Sequence, residues 1–161
     1  MKKVTILCSA IALSLLIACG GSDDKSSESG AAGGAPQSMV NTDDYDPKRG
    51  EGKWDHDNVK VGENIDAAMA EEGRKIFDVK CASCHKLTDE RLVGPGWKGV
   101  SDRQTAPWIM NFITNPDPMI DKDPELQAQL EICLVRMPNQ NLTDDDARKL
   151  LEFMRQNDGV Q

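Results

Sequence analysis

An all-α domain is the fold class this sequence predicts, and three observations predict it. Four segments repeat apolar residues at three- and four-residue intervals, the period of a helix face. Three of the four open on a side chain able to cap a helix, and two of those carry an early proline. No segment alternates apolar and polar residues long enough to read as a strand.

The N-terminus lies outside that domain. Lys2 and Lys3 precede an apolar run, Val4 to Ile17, that is too short to span a membrane comfortably, so residues 1–18 read as an export signal. The run ends in Leu16-Ile17-Ala18-Cys19, which resembles the cleavage site of bacterial lipoproteins and makes Cys19 the expected lipidated N-terminus. Residues 19–60 are rich in Gly, Ser, Asp and Pro and poor in branched apolar residues, so they are expected to form a flexible acidic tether. A chain of that length reaches about 35 Å. Residues 61–161 then form one domain, carrying 12 Lys/Arg against 18 Asp/Glu. This acidic balance argues against nucleic acid as a partner and for docking on a basic patch.

Within the domain the first helix is expected over Ile65–Val79, with Met69, Gly73, Ile76 and Phe77 on one face. Gly73 lowers helix propensity, which suggests close approach by a crossing helix. A second helix starts at Thr105-Ala106-Pro107 and carries Trp108, Ile109, Phe112 and Ile113. A third starts at Asp123-Pro124 and carries Leu126, Leu130, Cys133 and Leu134. Asn115-Pro116-Asp117-Pro118 between them reads as a rigid loop. Thr143 caps the last helix, where Asp144 to Asp146 suit the positive end of the dipole and Arg155 the other. Its expected core face is Ala147, Leu150, Leu151 and Met154.

The chemistry-bearing motif is Cys81-Ala82-Ser83-Cys84-His85. Two thiols and an imidazole at this spacing suit covalent attachment of a c-type haem, with thioethers at Cys81 and Cys84 and His85 on the iron. Cys-x-x-Cys alone would leave thiol exchange or half a zinc site open. Zinc needs a second ligand pair, and Cys133 with His56 has no suitable spacing. Cys8 falls in the signal and Cys19 at the lipid, which leaves Cys133 as a lone thiol among apolar residues, expected to be buried and inert.

With Gly73 and Phe77 before that motif, Gly94-Pro95 after it, and Met137-Pro138 ahead of a last helix bearing Phe153, residues 65 to 156 resemble a class I c-type cytochrome. The resemblance implies a class I cytochrome c fold, all helical, wrapped round one covalently bound haem c. It also implies that the Pro95 carbonyl accepts a hydrogen bond from the His85 ring, an outer contact that orients the ligand and raises its basicity. Four methionines could supply the sixth ligand: Met110, Met119, Met137 and Met154. Met110 and Met154 sit in helix patterns as core residues. Met137, in a loop and followed by proline, is the ligand the family geometry favours, with Met119 as its rival. Trp97 is a candidate haem contact, as are Leu92, Val93, Val100, Trp108 and Phe112; Arg103 or Lys98 could meet a propionate.

Function follows as an expectation: a one-electron carrier with His/Met ligation, not an enzyme, monomeric, and tethered to a membrane through Cys19. The runs Trp108 to Pro116 and Met137 to Leu142 are similar to small lipoprotein cytochromes that accompany nitrous oxide reductases. That similarity implies a denitrification role, with nitrous oxide reductase as acceptor and a quinol-oxidising complex upstream. A terminal oxidase or a peroxidase is the alternative acceptor. An open iron site would instead imply a haem peroxidase or gas sensor, for which His56 is the only spare imidazole. The expected location is the outer membrane, facing the periplasm.

Overall fold

The computed structural model describes residues 45–161, all in helices, turns and loops apart from one isolated bridge between His85 and Arg91. Six helices follow in order: α1 (Ala67–Lys80), α2 (Val100–Arg103), α3 (Ala106–Thr114), α4 (Pro116–Lys122), α5 (Pro124–Cys133) and α6 (Asp144–Asn157). Among the described residues no helix is long and apolar enough to cross a membrane. Cys19, the signal and residues 19–44 of the expected tether lie outside the described residues.

The α1/α6 crossing is the base of the domain. Asp66 caps α1 by accepting from Met69 N, and Ala70, Gly73 and Phe77 face inward. A Cβ on Gly73 would stand 2.1 Å from the Lys149 carbonyl oxygen and 2.9 Å from Phe153 Cβ, so only glycine allows the two backbones to meet. On α6, Thr143 and Asp146 form a reciprocal capping box. The helix is buried nearly all round from Leu150 to Arg155, rather than on one face. Glu152 and Arg155 are the reason: a 2.7 Å ion pair lets two charges enter the interior, and Glu152 also receives Arg148 at 2.6 Å. Arg155, expected only to complement the helix dipole, thus pairs inside the core and donates to the Gly62 and Glu63 carbonyls.

Two expectations change. Asn115 to Pro118, read as a loop, instead leads into α4, because prolines at the first and third helical positions occupy places whose N–H groups have no helical partner. The C-terminal third of the expected tether packs on the domain. Asn111, 1 % exposed on α3, donates to the Arg49 and Trp54 carbonyls and accepts from Trp54 N, so a strap of irregular backbone is held by one buried amide. Tyr45 donates to Asp123, which also accepts from Trp108 Nε1 at 2.9 Å. Burial and the Asp123 carboxylate push the Tyr45 phenol far above its ordinary value. The low apolar content that suggests disorder is offset here by hydrogen bonds between elements distant in sequence.

Candidate functional site

The segment 81–85 is a single tight turn on the end of α1. Cys81 N donates to Phe77 O at 2.9 Å, and the Cys81 carbonyl then accepts from Cys84 N at 3.0 Å and His85 N at 2.9 Å. This winding brings Cys81, Cys84 and His85 to one cavity of about 290 Å³ between α1, α3, α5 and α6. Cys81 is buried, and burial pushes its thiol up to about 11, so it stays protonated at neutral pH. Cys84 is partly exposed.

His85 is held from two sides. Its Nδ1–H donates to the Pro95 carbonyl at 2.8 Å; a carbonyl can only accept, so the proton is on Nδ1 and the neutral ring keeps its lone pair on Nε2. Burial moves the ring below its ordinary value and favours this neutral form, with the Pro95 bond opposing. Gly94 lies against the ring: a Cβ there would be 2.4 Å from His85 Cε1. The loop that carries Gly94 and Pro95 folds back through Gly94 N on Cys84 O at 2.9 Å and Trp97 N on Lys86 O at 2.9 Å. Trp97 is 7 % exposed, packs edge-on against Phe77 at 4.6 Å between centroids, and lines the same cavity. It is both core and lining.

The two rival methionines have different surroundings. Met119 on α4 is fully buried against the strap, where a Cβ on Gly50 would come within 3.0 Å of its sulfur. It lines neither cavity. Met137 lines the larger cavity and an adjoining one of about 100 Å³, and so does His85. Of the other sequence candidates, Val100, Trp108, Phe112 and Arg103 line the larger cavity and Val93 the smaller, whereas Leu92 and Lys98 line neither. Cys133 is only partly buried and lines the smaller cavity, a position its apolar neighbours in sequence do not suggest. Sequence reasoning placed Leu126 on a helix face without assigning it to the site and missed Gln129; both line both cavities from α5, and their helical register was the available signal.

An apolar slot that gathers two thiols, a free imidazole lone pair and a thioether suits haem c, and a closed zinc site is not formed: among the described residues no three His, Cys, Asp or Glu side chains gather as metal ligands. The sequence model of the family described as cytochrome c matches residues 70–158. The chain belongs to the cytochrome c family. A cytochrome c-553-like protein of Synechocystis is 34 % identical over 65 residues, covering 38 % of this chain and 62 % of that protein, so the cytochrome spans less than two thirds of this relative. A solved cytochrome c from Rhodothermus marinus is 37 % identical, with TM-score 0.60, over 63 % of this chain and 86 % of that one. An engineered form of the Rhodothermus protein aligns at 36 % identity and the same TM-score, covering 63 % of this chain and 87 % of that one. The helical domain is therefore a one-electron-carrying cytochrome c domain with a covalently bound haem c.

Proposed function

We propose that this cytochrome is a membrane-tethered electron carrier whose haem is attached at Cys81 and Cys84 and whose iron is held by His85 and Met137. The observation that carries this reading is the commitment of His85 Nδ1 to Pro95, which leaves Nε2 as the donor in a cavity that Met137 also lines. The haem supplies an iron that cycles between ferric and ferrous states. The chain's part is to orient the imidazole through Gly94 and Pro95, to exclude water with Trp97, Phe112, Leu126 and Met154, and to offer a soft thioether that favours the ferrous state. Held by both His85 and Met137, the haem would offer no open position, which suits electron transfer rather than peroxidase or gas-binding chemistry.

The test is optical. Met137→Ala should lose the thioether-to-ferric-iron charge-transfer band and acquire carbon monoxide binding in the ferrous state, while Met119→Ala keeps the band. The reverse result overturns the assignment.

The tether and partner belong to the same proposal. Cys19 after Leu16-Ile17-Ala18 supports lipid anchoring, with residues 19–44 as the tether and the packed strap from Tyr45 as its junction with the domain. Cys19→Ser should release the protein from membranes, and protease treatment of intact cells reports which side it faces. The runs around Trp108 and Met137 support nitrous oxide reductase as acceptor, in the periplasm, fed by a quinol-oxidising complex. Oxidation of the reduced protein by a haem-copper oxidase but not by purified nitrous oxide reductase would overturn that choice.

A further inference from the structure

Arg136 stands one residue before Met137, in the segment that joins α5 to α6. Its guanidinium spans two carboxylates on α4: Nε donates to Asp117 Oδ1 at 2.8 Å, and Nη2 donates to Asp121 Oδ1 at 2.8 Å and to the Asp117 carbonyl at 3.0 Å. Asp117 and Asp121 lie one helical turn apart, which is why one planar fork reaches both. α4 is a firm base for such a contact, since Pro116, Met119 and Ile120 are buried and Ile120 lines the smaller cavity beside Met137. The segment itself has no regular structure to stiffen it. Leu134 and Asn141, at φ 56° and 50°, turn the chain through the left-handed region at either side of Met137. Among the described residues, Arg136 makes the only polar side-chain tie from 134–136 to another element; the later ties, Lys80 to the Gln140 carbonyl at 3.0 Å and Asn139 to the Thr114 carbonyl at 3.4 Å, follow Met137.

We infer that Arg136 is a positioning residue that clamps the Met137 segment onto α4 and so slows departure of the methionine sulfur from the iron. The inference rests on the Met137 ligation proposed above. A thioether is a neutral ligand, and its residence is limited by how often its loop opens; local opening is governed by the few contacts that must break. Each exposed ion pair contributes little by itself. Three bonds from one rigid fork are a different case, because they are made and lost together and a lysine cannot reproduce them.

The experiment uses ferric holoprotein and imidazole, which reaches the iron only after the native ligand leaves. At saturating imidazole the observed rate becomes the rate of ligand departure. Arg136→Gln is expected to raise that limit roughly three- to tenfold, as loss of two linked ion pairs would. Asp117→Asn with Asp121→Asn should do the same while leaving the Arg136 stem in the cavity wall, and it carries the test if Arg136→Gln does not fold. Arg136→Lys should fall between. About 1 M salt should move the wild type toward the variants and leave Arg136→Gln unmoved. A residue that only supports the fold would lower the melting temperature without changing the limiting rate or its response to salt. An unchanged limiting rate in both the Arg136→Gln and the double aspartate variants overturns the clamp. Retention of the charge-transfer band in Met137→Ala would instead overturn the ligation reading.

Discussion

Gly94→Ala tests how His85, the proposed haem ligand, is held, and the structure supplies the size of the effect. The backbone of Gly94 is not in the left-handed region, so the substitution meets no conformational penalty; the added Cβ meets His85 instead, at 2.4 Å from Cε1, 2.9 Å from Nδ1 and 3.0 Å from Nε2. Ordinary contact is 3.4–4 Å, so the ring must retreat by about 1 Å. That retreat disturbs the 2.8 Å bond from Nδ1 to the Pro95 carbonyl. A hydrogen bond of this kind contributes about 0.5–1.5 kcal/mol. With His85 on the iron as proposed, it would make the imidazole a better donor and so favour the ferric state. If the whole of that energy distinguishes the two oxidation states, its loss raises the midpoint potential by about 20–65 mV, taking 59 mV per tenfold change for one electron. The assay is a redox-titrated optical spectrum, with thermal unfolding alongside. Gly73→Ala is the control: it overpacks the α1/α6 crossing against Lys149 and Phe153 and does not meet the His85 ring, so it should lose stability and leave the potential in place. A Gly94→Ala protein that loses stability as Gly73→Ala does, with an unmoved or lowered potential, would refute the argument that Gly94 and Pro95 hold the ring.

Three further outcomes are expected. Glu152→Ala should cost about 3–5 kcal/mol in chemical unfolding, because it leaves Arg155 charged and without its carboxylate in the core, whereas Lys75→Ala, which breaks an exposed pair on α1, should leave stability nearly unchanged. Thr143→Ala should lose about 1 kcal/mol at neutral pH by removing the α6 cap. The Thr143 hydroxyl and backbone hold the Asp146 carboxyl below its ordinary 3.8, so the stabilisation from Asp146 is complete above that value and is lost as pH falls through the lower folded one; carboxyl titration by NMR should find Asp146 moved back toward 3.8 in the variant. Asn111→Ala should free the strap from α3, read as faster amide exchange at Trp54 with the haem spectrum retained, since Asn111 lines neither cavity.

The legible parts of this protein are those whose cause is local. Helix starts at Thr105, Asp123 and Thr143 follow from short side chains that cap the backbone a few residues away, and the structure has all three. The crossing at Gly73 was also legible, because a glycine inside a strong helical pattern needs a partner to explain it. The α4 helix was not, since two prolines in four residues suggest a turn when the first-turn exemption from hydrogen bonding is overlooked. Nor was the strap, whose order depends on Asn111 and Asp123, more than fifty residues away in sequence.

At the candidate site the division follows the same reason. The sequence by itself determined the class of cofactor, because haem attachment needs two thiols and an imidazole within one turn of chain, and Cys81, Cys84 and His85 carry that requirement in five consecutive positions. It favoured Met137 over Met119 only through the family resemblance, because both read as loop residues beside a proline. Only the tertiary structure separated their surroundings: Met119 fills the space under Gly50, and Met137 faces the cavity that His85 also lines. The Arg136 contact with Asp117 and Asp121 was invisible for the same physical reason, since it exists only once α4 has formed and the following segment has folded back upon it.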